Sequence, residues 1–208
     1  AQVGLGTRVA ATTSMYTQGS FTETDNKTDF ALDGDGFFAV RALDGQTYYT
    51  RNGAFTWSQA ADGRTILADA SGNAVLDTAG NVIAVPNGVS SEKMDFQEDG
   101  SVGYYQPDGT YVSLNQTMAV YQFNNPAGLD KMAGSLLAQT GASGNAMLES
   151  TTAGLKASKV LAQHLEGSNV NVADEMVNMI VAQRAYELNS KAITTADSML
   201  DTANNLKR

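Results

Sequence analysis

The sequence has few of the residues that usually build metal and redox sites: it contains no cysteine and one histidine. Without cysteine, neither a disulfide nor a thiolate metal site can form, as suits an intracellular protein or one that is exported unfolded. A zinc site at His164 would need carboxylates for all its other ligands, which is uncommon. No run of 18 apolar residues is present, so no segment is expected to span a bilayer. The sequence therefore predicts no cofactor and no metal.

Positive charge is also scarce. The chain has 13 lysines and arginines against 22 aspartates and glutamates, a formal net charge of −9. Residues 1–167 carry −8 of this charge and residues 168–208 carry −1. Because phosphate binding needs a basic surface, this balance argues against nucleic acid and against anionic membranes. With 42% hydrophobic and 17% charged residues, a packed core is expected.

The segment from about residue 19 to residue 140 consists of short apolar runs separated by turn dipeptides. Glycine in these dipeptides tolerates the positive φ that tight hairpin turns demand. The dipeptides are Asp33-Gly34, Asp35-Gly36, Asp44-Gly45, Asn52-Gly53, Asp62-Gly63, Asn87-Gly88, Asp99-Gly100 and Asp108-Gly109. The apolar runs predict strands at 36–41, 47–51, 81–85, 101–105 and 118–123. Strands this short, with turns this frequent, indicate an antiparallel β domain and not a parallel sheet.

The expected fold class is mainly β with a long C-terminal α-helix. Residues 1–20 are expected to be an extended connector, and residues 21–144 the antiparallel β domain. Residues 145–170, rich in Ala, Ser, Thr and Gly, predict a return connector, either a linker or an extended strand, with a short strand at 160–162. Residues 171–208 are the predicted C-terminal assembly helix.

The predicted helix has a clear start. Asn171 is a good N-cap, and Asp174 and Glu175 follow in the first turn, where the helix dipole favours negative charge. The helical period then continues for about 34 positions without Gly or Pro, which corresponds to a rod of about 51 Å. Such a helix is far longer than the usual globular helix of about 11–12 residues.

Apolar residues recur along this helix, and we expect them to lie near one face. They form the predicted assembly surface, whose members are Val172, Met176, Val177, Met179, Ile180, Tyr186, Leu188, Ile193, Met199 and Leu200. Four of them, at seven-residue steps from Met179 to Leu200, widen the stripe. A stripe that wide suits packing against more than one neighbouring helix. Since no second segment of the chain matches it, we expect it to contact a partner.

A polar stretch interrupts the apolar pattern at residues 183–189. One interpretation is a solvated face, on which Arg184 and Glu187 form an i,i+3 ion pair worth about 0.2–0.5 kcal/mol. In the other interpretation, Gln183, Arg184 and Asn189 form hydrogen bonds that fix the register between subunits. For a helix that has to assemble, we favour the second.

The motif Asp33-Gly34-Asp35-Gly36 has the spacing with which a calcium-binding loop begins. An EF-hand loop also requires an oxygen ligand at position 5, glycine at position 6 and glutamate at position 12. Phe37, Phe38 and Asp44 occupy those positions. We therefore predict a hairpin turn that is followed by an aromatic strand.

Signals for catalysis are weak. His164 and Ser158 could belong to a nucleophilic triad, but no nucleophile-elbow spacing is present. A packed or surface histidine is the better interpretation. The acidic residues offer many carboxylate pairs for glycoside chemistry, yet several aspartates precede glycine in turns, where aspartate shapes the backbone. No catalytic residue is predicted.

Several blocks of the sequence resemble one family, the bacterial flagellar rod and hook proteins, in the family's order and over nearly the whole chain. The blocks are Tyr16-Thr17-Gln18-Gly19-Ser20, residues 29–38, Tyr49-Thr50-Arg51-Asn52-Gly53-Ala54-Phe55, Phe123-Asn124-Asn125-Pro126-Ala127-Gly128-Leu129, Ser168-Asn169-Val170-Asn171-Val172, Glu175-Met176-Val177-Asn178-Met179-Ile180 and Ala182-Gln183-Arg184-Ala185-Tyr186-Glu187. Residues 166–171 and 176–180 are most similar to distal-rod members of the family. Hook and proximal-rod members are the alternatives.

The resemblance implies structural work and not catalysis. Such subunits are exported unfolded by the flagellar export apparatus, without a cleaved signal peptide, and stack helically with adjacent rod and hook subunits into a hollow drive shaft. Their terminal helices line the inside, so a helical segment before Ala1 is expected to pair with the C-terminal helix. The implied partners are copies of the chain and its axial neighbours, with neither nucleic acid nor a small-molecule substrate. The competing hypothesis is a cell-wall-directed β-domain enzyme or carbohydrate-binding module with an oligomerisation helix.

Overall fold

The structure, a computed structural model, describes residues 8, 10, 12–60 and 62–206. In these residues it contains 16 β-strands and one α-helix. The strands are β1 (Phe21–Glu23), β2 (Phe30–Asp33), β3 (Phe37–Arg41), β4 (Thr47–Thr50), β5 (Thr56–Gln59), β6 (Thr65–Ala68), β7 (Ala74–Val75), β8 (Met94–Phe96), β9 (Ser101–Tyr105), β10 (Tyr111–Thr117), β11 (Val120–Gln122), β12 (Asp130–Lys131), β13 (Leu137–Ala138), β14 (Met147–Leu148), β15 (Lys159–Ala162) and β16 (His164–Glu166). The helix is α1 (Val172–Asn205), and short 3-10 helices cover Ser91–Lys93, Pro126–Gly128 and Ala133–Ser135.

The chain divides after Gly167 into two compact units, which we call the β unit and the helix unit. The strand pairs of the β unit are antiparallel, so the expected fold class is confirmed. The largest sheet has nine strands in the order β12-β13-β4-β3-β7-β6-β5, with β11 pairing with β3 and β14. A three-stranded sheet β10-β9-β8 and the two-stranded sheets β1-β16 and β15-β2 complete the unit. In the described part of the chain, no helix is both long enough and apolar enough to cross a bilayer.

Four of the predicted Asp-Gly turns close hairpins, between β3 and β4, β5 and β6, β8 and β9, and β9 and β10. In each turn the glycine has φ between 76° and 84°, and an aspartate oxygen accepts a bond from the N–H two residues on, at 2.8–3.0 Å. In the β3–β4 hairpin, Ala42 N–H donates to the Gln46 carbonyl at 3.0 Å, which leaves a three-residue loop. This is a type I turn completed by a left-handed glycine, so the glycine is the residue of the pair that needs positive φ.

Two expectations for this region are wrong. The motif 33–36 closes no hairpin, because β2 pairs with β15 while β3 pairs with β4, β7 and β11. The aromatic strand after the motif, β3, is confirmed. Residues 81–85 form isolated bridges to Leu76 and Ile66 instead of a strand, because the segment divides its hydrogen bonds between two strands: Ile83 N–H donates to the Val75 carbonyl in β7, and the Ile83 carbonyl accepts from Leu67 N–H in β6.

The last strands close the β unit. β16 pairs with β1 and β15 pairs with β2. Between β15 and β16, Gln163 has φ 59°, a left-handed conformation that redirects the chain from one partner strand to the other. The compact unit therefore includes most of the segment 145–170 that the sequence assigned to a return connector. Of the predicted connector 1–20, the described residues contain no helix or strand, and the others lie outside the described residues.

The core consists of two clusters, one on each face of β3. Phe37 and Phe38 are both fully buried, and as neighbours in a strand they point to opposite faces. Phe38 contacts Phe55 edge to face, with ring centroids 5.3 Å apart, in the larger cluster. Phe37 contacts Phe123 at 5.8 Å in the smaller cluster. Aromatic pairs of this geometry contribute stability beyond that of the buried apolar area. Packing on both faces therefore holds β3 in place.

Candidate assembly surface

The start of α1 is the one predicted. Asn171 Oδ1 accepts a hydrogen bond from Ala173 N–H at 3.0 Å, and Asp174 and Glu175 lie in the first turn. A side-chain cap of this kind satisfies one of the free N–H groups of the helix end and contributes about 1 kcal/mol. The helix then continues for 34 residues to Asn205. Residues 207 and 208 of the predicted helix lie outside the described residues.

All ten apolar side chains of the predicted assembly surface are more than half exposed, from 55% for Ile180 to 77% for Tyr186. The neighbouring Val181, 62% exposed, belongs with them and was missed, although it lies four residues after Val177. Scattered apolar residues on a surface are normal, whereas exposed apolar side chains that recur along one element are typical of a surface that contacts another protein.

The surface surrounds the helix. Met179 and Leu188 are nine residues apart, which at about 100° per residue puts them on opposite sides of α1. The single face expected from the sequence is therefore too narrow a description. The seven-residue series from Met179 to Leu200 drifts by only about 20° per step, as in the seam of a left-handed coiled coil. A helix that is apolar on several sides is buried only by several neighbours.

The second half of α1 carries hydroxyl groups that are already satisfied. Thr194, Thr195, Ser198 and Thr202 donate to backbone carbonyls three or four residues earlier, at 2.8–2.9 Å. Because these hydrogen bonds stay within the helix, the hydroxyl groups can be buried against an apolar neighbour without needing a partner from it. This half of the helix is therefore compatible with close packing despite its polar composition.

In the polar stretch, Arg184 Nη1 contacts Glu187 Oε2 at 3.0 Å, and the two side chains are 74% and 54% exposed. The i,i+3 pair of the solvated-face interpretation thus forms, and it contributes only a few tenths of a kcal/mol. It engages one N–H of a guanidinium group that has five. Gln183 and Asn189 are exposed on the same helix. All three predicted register residues are therefore accessible to a partner.

The turn motif 33–36 lies elsewhere and has a packing role. A Cβ at Gly34, which has φ 147°, would lie 2.8 Å from Ser158 Cβ. Gly36 N–H donates to Ser158 Oγ at 3.2 Å, and Ser158 donates through its N–H and its Oγ to the carboxylate of Glu149, at 2.7 Å each. The glycines therefore let this turn approach the 149–158 segment. In the part of the chain that the structure describes, no three His, Asp or Glu side chains are placed to hold a metal ion.

A partly open cavity of about 120 Å³ beside this turn is lined by Asp99 and Glu149 among other residues. Ligand pockets usually measure about 300–1,000 Å³. Glu149 is fully engaged by Ser158 and by Gln122 Nε2, at 2.7 Å. Hydrogen bonds from Ser101 hold the pKa of Asp99 below its usual value, whereas a catalytic acid at neutral pH needs a raised pKa. Asp99 therefore lacks the raised pKa of a general acid, and the cavity is smaller than an ordinary ligand pocket.

His164, the other residue considered for catalysis, lies on β16 with Nδ1 2.7 Å from the Ala162 carbonyl oxygen. Ser158, the nucleophile considered with it, is bonded to Glu149. His164 and Ser158 thus each contact a different partner, and their hydrogen bonds do not form a catalytic triad.

Two family models match the chain. The model described as "Flagellar hook protein FlgE/F/G D1 domain" matches residues 31–104, which lie in the β unit. The model described as "Flagellar basal body rod FlgEFG protein C-terminal" matches residues 161–206, which contain β16 and α1. The matches thus cover both units, in the order in which the sequence blocks were identified.

Relatives with the name "Flagellar basal-body rod protein FlgG" span nearly the whole chain. The protein from Borreliella burgdorferi is 39% identical over 100% of this chain and 75% of its own length, and that from Agrobacterium fabrum is 36% identical over the same shares. A "Flagellar hook protein FlgE" from Helicobacter pylori is 38% identical over 54% of this chain and 16% of its own length. The chain belongs to the flagellar rod and hook protein family FlgE/F/G. The two relatives above that match it from end to end carry the name FlgG.

Proposed function

We propose that the chain is a structural subunit of the bacterial flagellar rod, located in the basal body, and that it belongs to the distal rod. One observation carries the proposal: α1 is a 34-residue helix with exposed apolar side chains on several sides. The names of the relatives that span the chain support it. Subunits joined by contacts that do not close a ring build open helical filaments, which is the form that a torque-transmitting shaft requires.

In this proposal, copies of α1 pack against one another and against helices of adjacent rod and hook subunits. Burial of one large apolar side chain contributes about 1.5–3 kcal/mol, so an assembly surface of ten such side chains distributes the binding energy along the whole helix. Gln183, Arg184 and Asn189 then fix the axial register, because a polar group in an apolar interface is tolerated only where it finds its hydrogen-bond partner.

We further propose the flagellar export apparatus as a transient partner, with passage across the inner membrane and without a cleaved signal peptide. A chain without cysteine, which forms no disulfide before export, is suited to this route. The proposal assigns to the chain no enzyme activity, cofactor, nucleic acid or small-molecule substrate. The net charge of −9 and the small cavity beside Ser158 support this assignment.

The test replaces apolar side chains of the assembly surface by charged ones. The variant Met176→Asp, Ile180→Asp, Leu188→Asp should fail to incorporate into rods and should abolish swimming, because three carboxylates would have to lose water in the interface. Rod formation is measured by electron microscopy of isolated basal bodies, and swimming in soft agar, with the variant as the sole copy.

The matched control changes the same three positions and keeps them apolar: Met176→Leu, Ile180→Val and Leu188→Met. It should assemble, because the apolar surface is retained. Circular dichroism of both purified variants tests whether α1 persists. Normal swimming of the charged variant would refute the proposal, and so would equal loss in both variants, because assembly would then not depend on apolar burial at these positions.

A hook or proximal-rod subunit is the second candidate, favoured by the partial match to the hook protein and by family models that name hook and rod proteins together. Complementation separates the two. The protein should restore motility to a strain that lacks its distal-rod subunit. Restoration only in a strain that lacks its hook or proximal-rod subunit would favour the alternative, and release of sugars from peptidoglycan would favour the cell-wall enzyme.

A further inference from the structure

Three strand ends and a turn of the β unit meet at one guanidinium group. Arg51, directly after β4, contacts Glu166, the last residue of β16, with Nε 2.9 Å from Oε2. Its Nη1 donates to the Gly36 carbonyl at 3.0 Å and its Nη2 to the Leu32 carbonyl at 3.3 Å. The two side chains are only 18% and 13% exposed. A charge pair that is shielded from water in this way is little weakened by salt.

The same carboxylate also holds the residues that lead into β1. Gly19 N–H donates to Glu166 Oε1 at 2.9 Å, and Gly167 N–H donates to the Ser20 carbonyl at 2.8 Å. Residues 19–20 and 166–167 thus lie side by side, although they are almost 150 positions apart in sequence. We call the paired strands β1 and β16 the end ribbon.

The geometry of the end ribbon makes its outer end the point at which a force between residues 20 and 167 acts first. Phe21 lies opposite Glu166, so the chain enters and leaves at the same end of the ribbon. The covalent path from the helix unit into the β unit is the peptide bond after Gly167. Because antiparallel hydrogen bonds run perpendicular to the strands, forces that separate residues 20 and 167 act along these bonds and break them one after another. In a ribbon that is loaded in this way, the strands separate pair by pair from the outer end unless additional contacts stabilise the first pair.

We propose that Arg51 and Glu166 form a lock on the end ribbon, which passes load from the two chain ends to the backbone around β2, β3 and β4 and keeps β1 and β16 paired. This inference goes beyond the proposed function, and its test uses the purified chain and no assembly, so the two can fail separately. The lock is charge-assisted and multidentate, the strongest class of hydrogen bond in proteins.

The first test is native-state hydrogen exchange of the full chain with Glu166→Gln, which keeps the shape of the side chain and removes its charge. The amides of Gly167 and Thr24, which donate to Ser20 and Gln163 across the ribbon, should exchange about tenfold faster. The amides of Leu67 and Leu76, in the centre of the β unit, should keep their rates. Unchanged exchange at Gly167 and Thr24 would overturn the proposal.

The matched control removes a charge pair of the same type elsewhere. Arg64→Gln breaks the exposed pair with Asp62, whose side chains are 57% and 47% exposed, and should leave Gly167 and Thr24 unchanged. If Glu166→Gln instead accelerates Leu67 and Leu76 by the same factor as Gly167, the pair stabilises the whole β unit and is no lock.

A disulfide supplies a covalent lock for comparison. Glu23 lies opposite His164, next to the hydrogen-bonded pair of Thr24 and Gln163, so it occupies a non-hydrogen-bonded site whose Cα spacing of about 4.5 Å suits a disulfide. In a chain without other cysteines, Glu23→Cys with His164→Cys should, when oxidised, restore slow exchange at Thr24, beside the disulfide, in the Glu166→Gln protein, while Gly167 at the outer end stays fast. Reduction should remove the effect, and fast exchange at Thr24 in the oxidised protein would contradict the lock.

The second test measures force directly. Handles attached to Ser20→Cys and Ser168→Cys, which flank the first pair of the ribbon, allow the full chain to be stretched in an optical trap across the end ribbon. The first opening event should occur at a clearly lower force in Glu166→Gln than in the protein with native Glu166, while Arg64→Gln should not change it. Equal opening forces with and without the Glu166 charge would refute the role in load transfer.

Discussion

Gly53 is the position at which one methyl group should disrupt the β unit most. A Cβ on this residue would lie 2.7 Å from the carbonyl carbon of Phe30 and closer still to its oxygen. Phe30 is fully buried, and its N–H donates to the Gly53 carbonyl at 3.0 Å. Gly53 does not have positive φ, so the obstacle to Gly53→Ala is steric contact with the backbone of β2.

The expected cost follows from what must move. Relief of the contact separates residue 53 from Phe30, which loses a backbone hydrogen bond worth about 1 kcal/mol. It also displaces a core aromatic residue, and such overpacking costs about 1–3 kcal/mol. We therefore expect Gly53→Ala to lower the free energy of unfolding by about 3 kcal/mol. With a guanidinium m-value of about 4 kcal/mol/M, the midpoint should fall by about 0.7 M.

Guanidinium unfolding followed by the fluorescence of Trp57 measures this change. Trp57 is the single tryptophan and stacks on Phe96 with centroids 6.2 Å apart, so it reports on the β unit. The control is Gly141→Ala, at a glycine that also lacks positive φ and has no atom within 4 Å of its Cβ position. It should change the free energy by less than about 0.5 kcal/mol. Equal midpoints for the two variants would refute the steric argument.

Two further predictions concern pH and the start of the helix. Burial, with a smaller contribution from Tyr121, raises the pKa of Tyr49 from 10.0 to about 12. The unfolded chain therefore loses this proton first, so the contribution of Tyr49 to stability is complete below about pH 10 and is lost towards about pH 12. Tyr49→Phe should lose less stability than the unchanged protein between these values in urea unfolding, and parallel losses would contradict the assignment. Asn171→Ala should destabilise α1 by about 1 kcal/mol and accelerate hydrogen exchange of the Ala173 amide. The control Asn178→Ala, in the middle of the same helix, should instead raise the helicity measured by circular dichroism. Higher helicity in Asn171→Ala than in Asn178→Ala would argue against the cap.

Features that depend on neighbours in the sequence were predictable. The hairpin at Asp44-Gly45 needs one glycine at positive φ and one aspartate that bonds two residues ahead, and both requirements are visible in the dipeptide. The cap at Asn171 is equally local. The exposed apolar side chains of α1 were also predictable, because seven-residue spacing from Met179 to Leu200 is a property of the sequence.

Features that depend on distant segments were not predictable. β2 is buried along most of its length and pairs with β15, so it shows no alternation that would reveal its partner. The Arg51–Glu166 pair joins residues 115 positions apart, and single charges carry no signal of such a contact. Residues 81–85 have the composition of a strand, yet they divide their hydrogen bonds between β6 and β7, and such a division is settled only in the folded unit.

The adjacency of Ser20 and Gly167 makes the strands of the β unit, from β1 to β16, a transferable module. A folded segment whose ends are joined by one hydrogen bond of 2.8 Å can be inserted into a surface loop of a host protein without forcing the host's two strands or helices apart. The same spacing lets a linker of a few residues replace the unit and reconnect the flanking segments. A change in the size or surface of this module therefore leaves the segments on either side of it at the same separation.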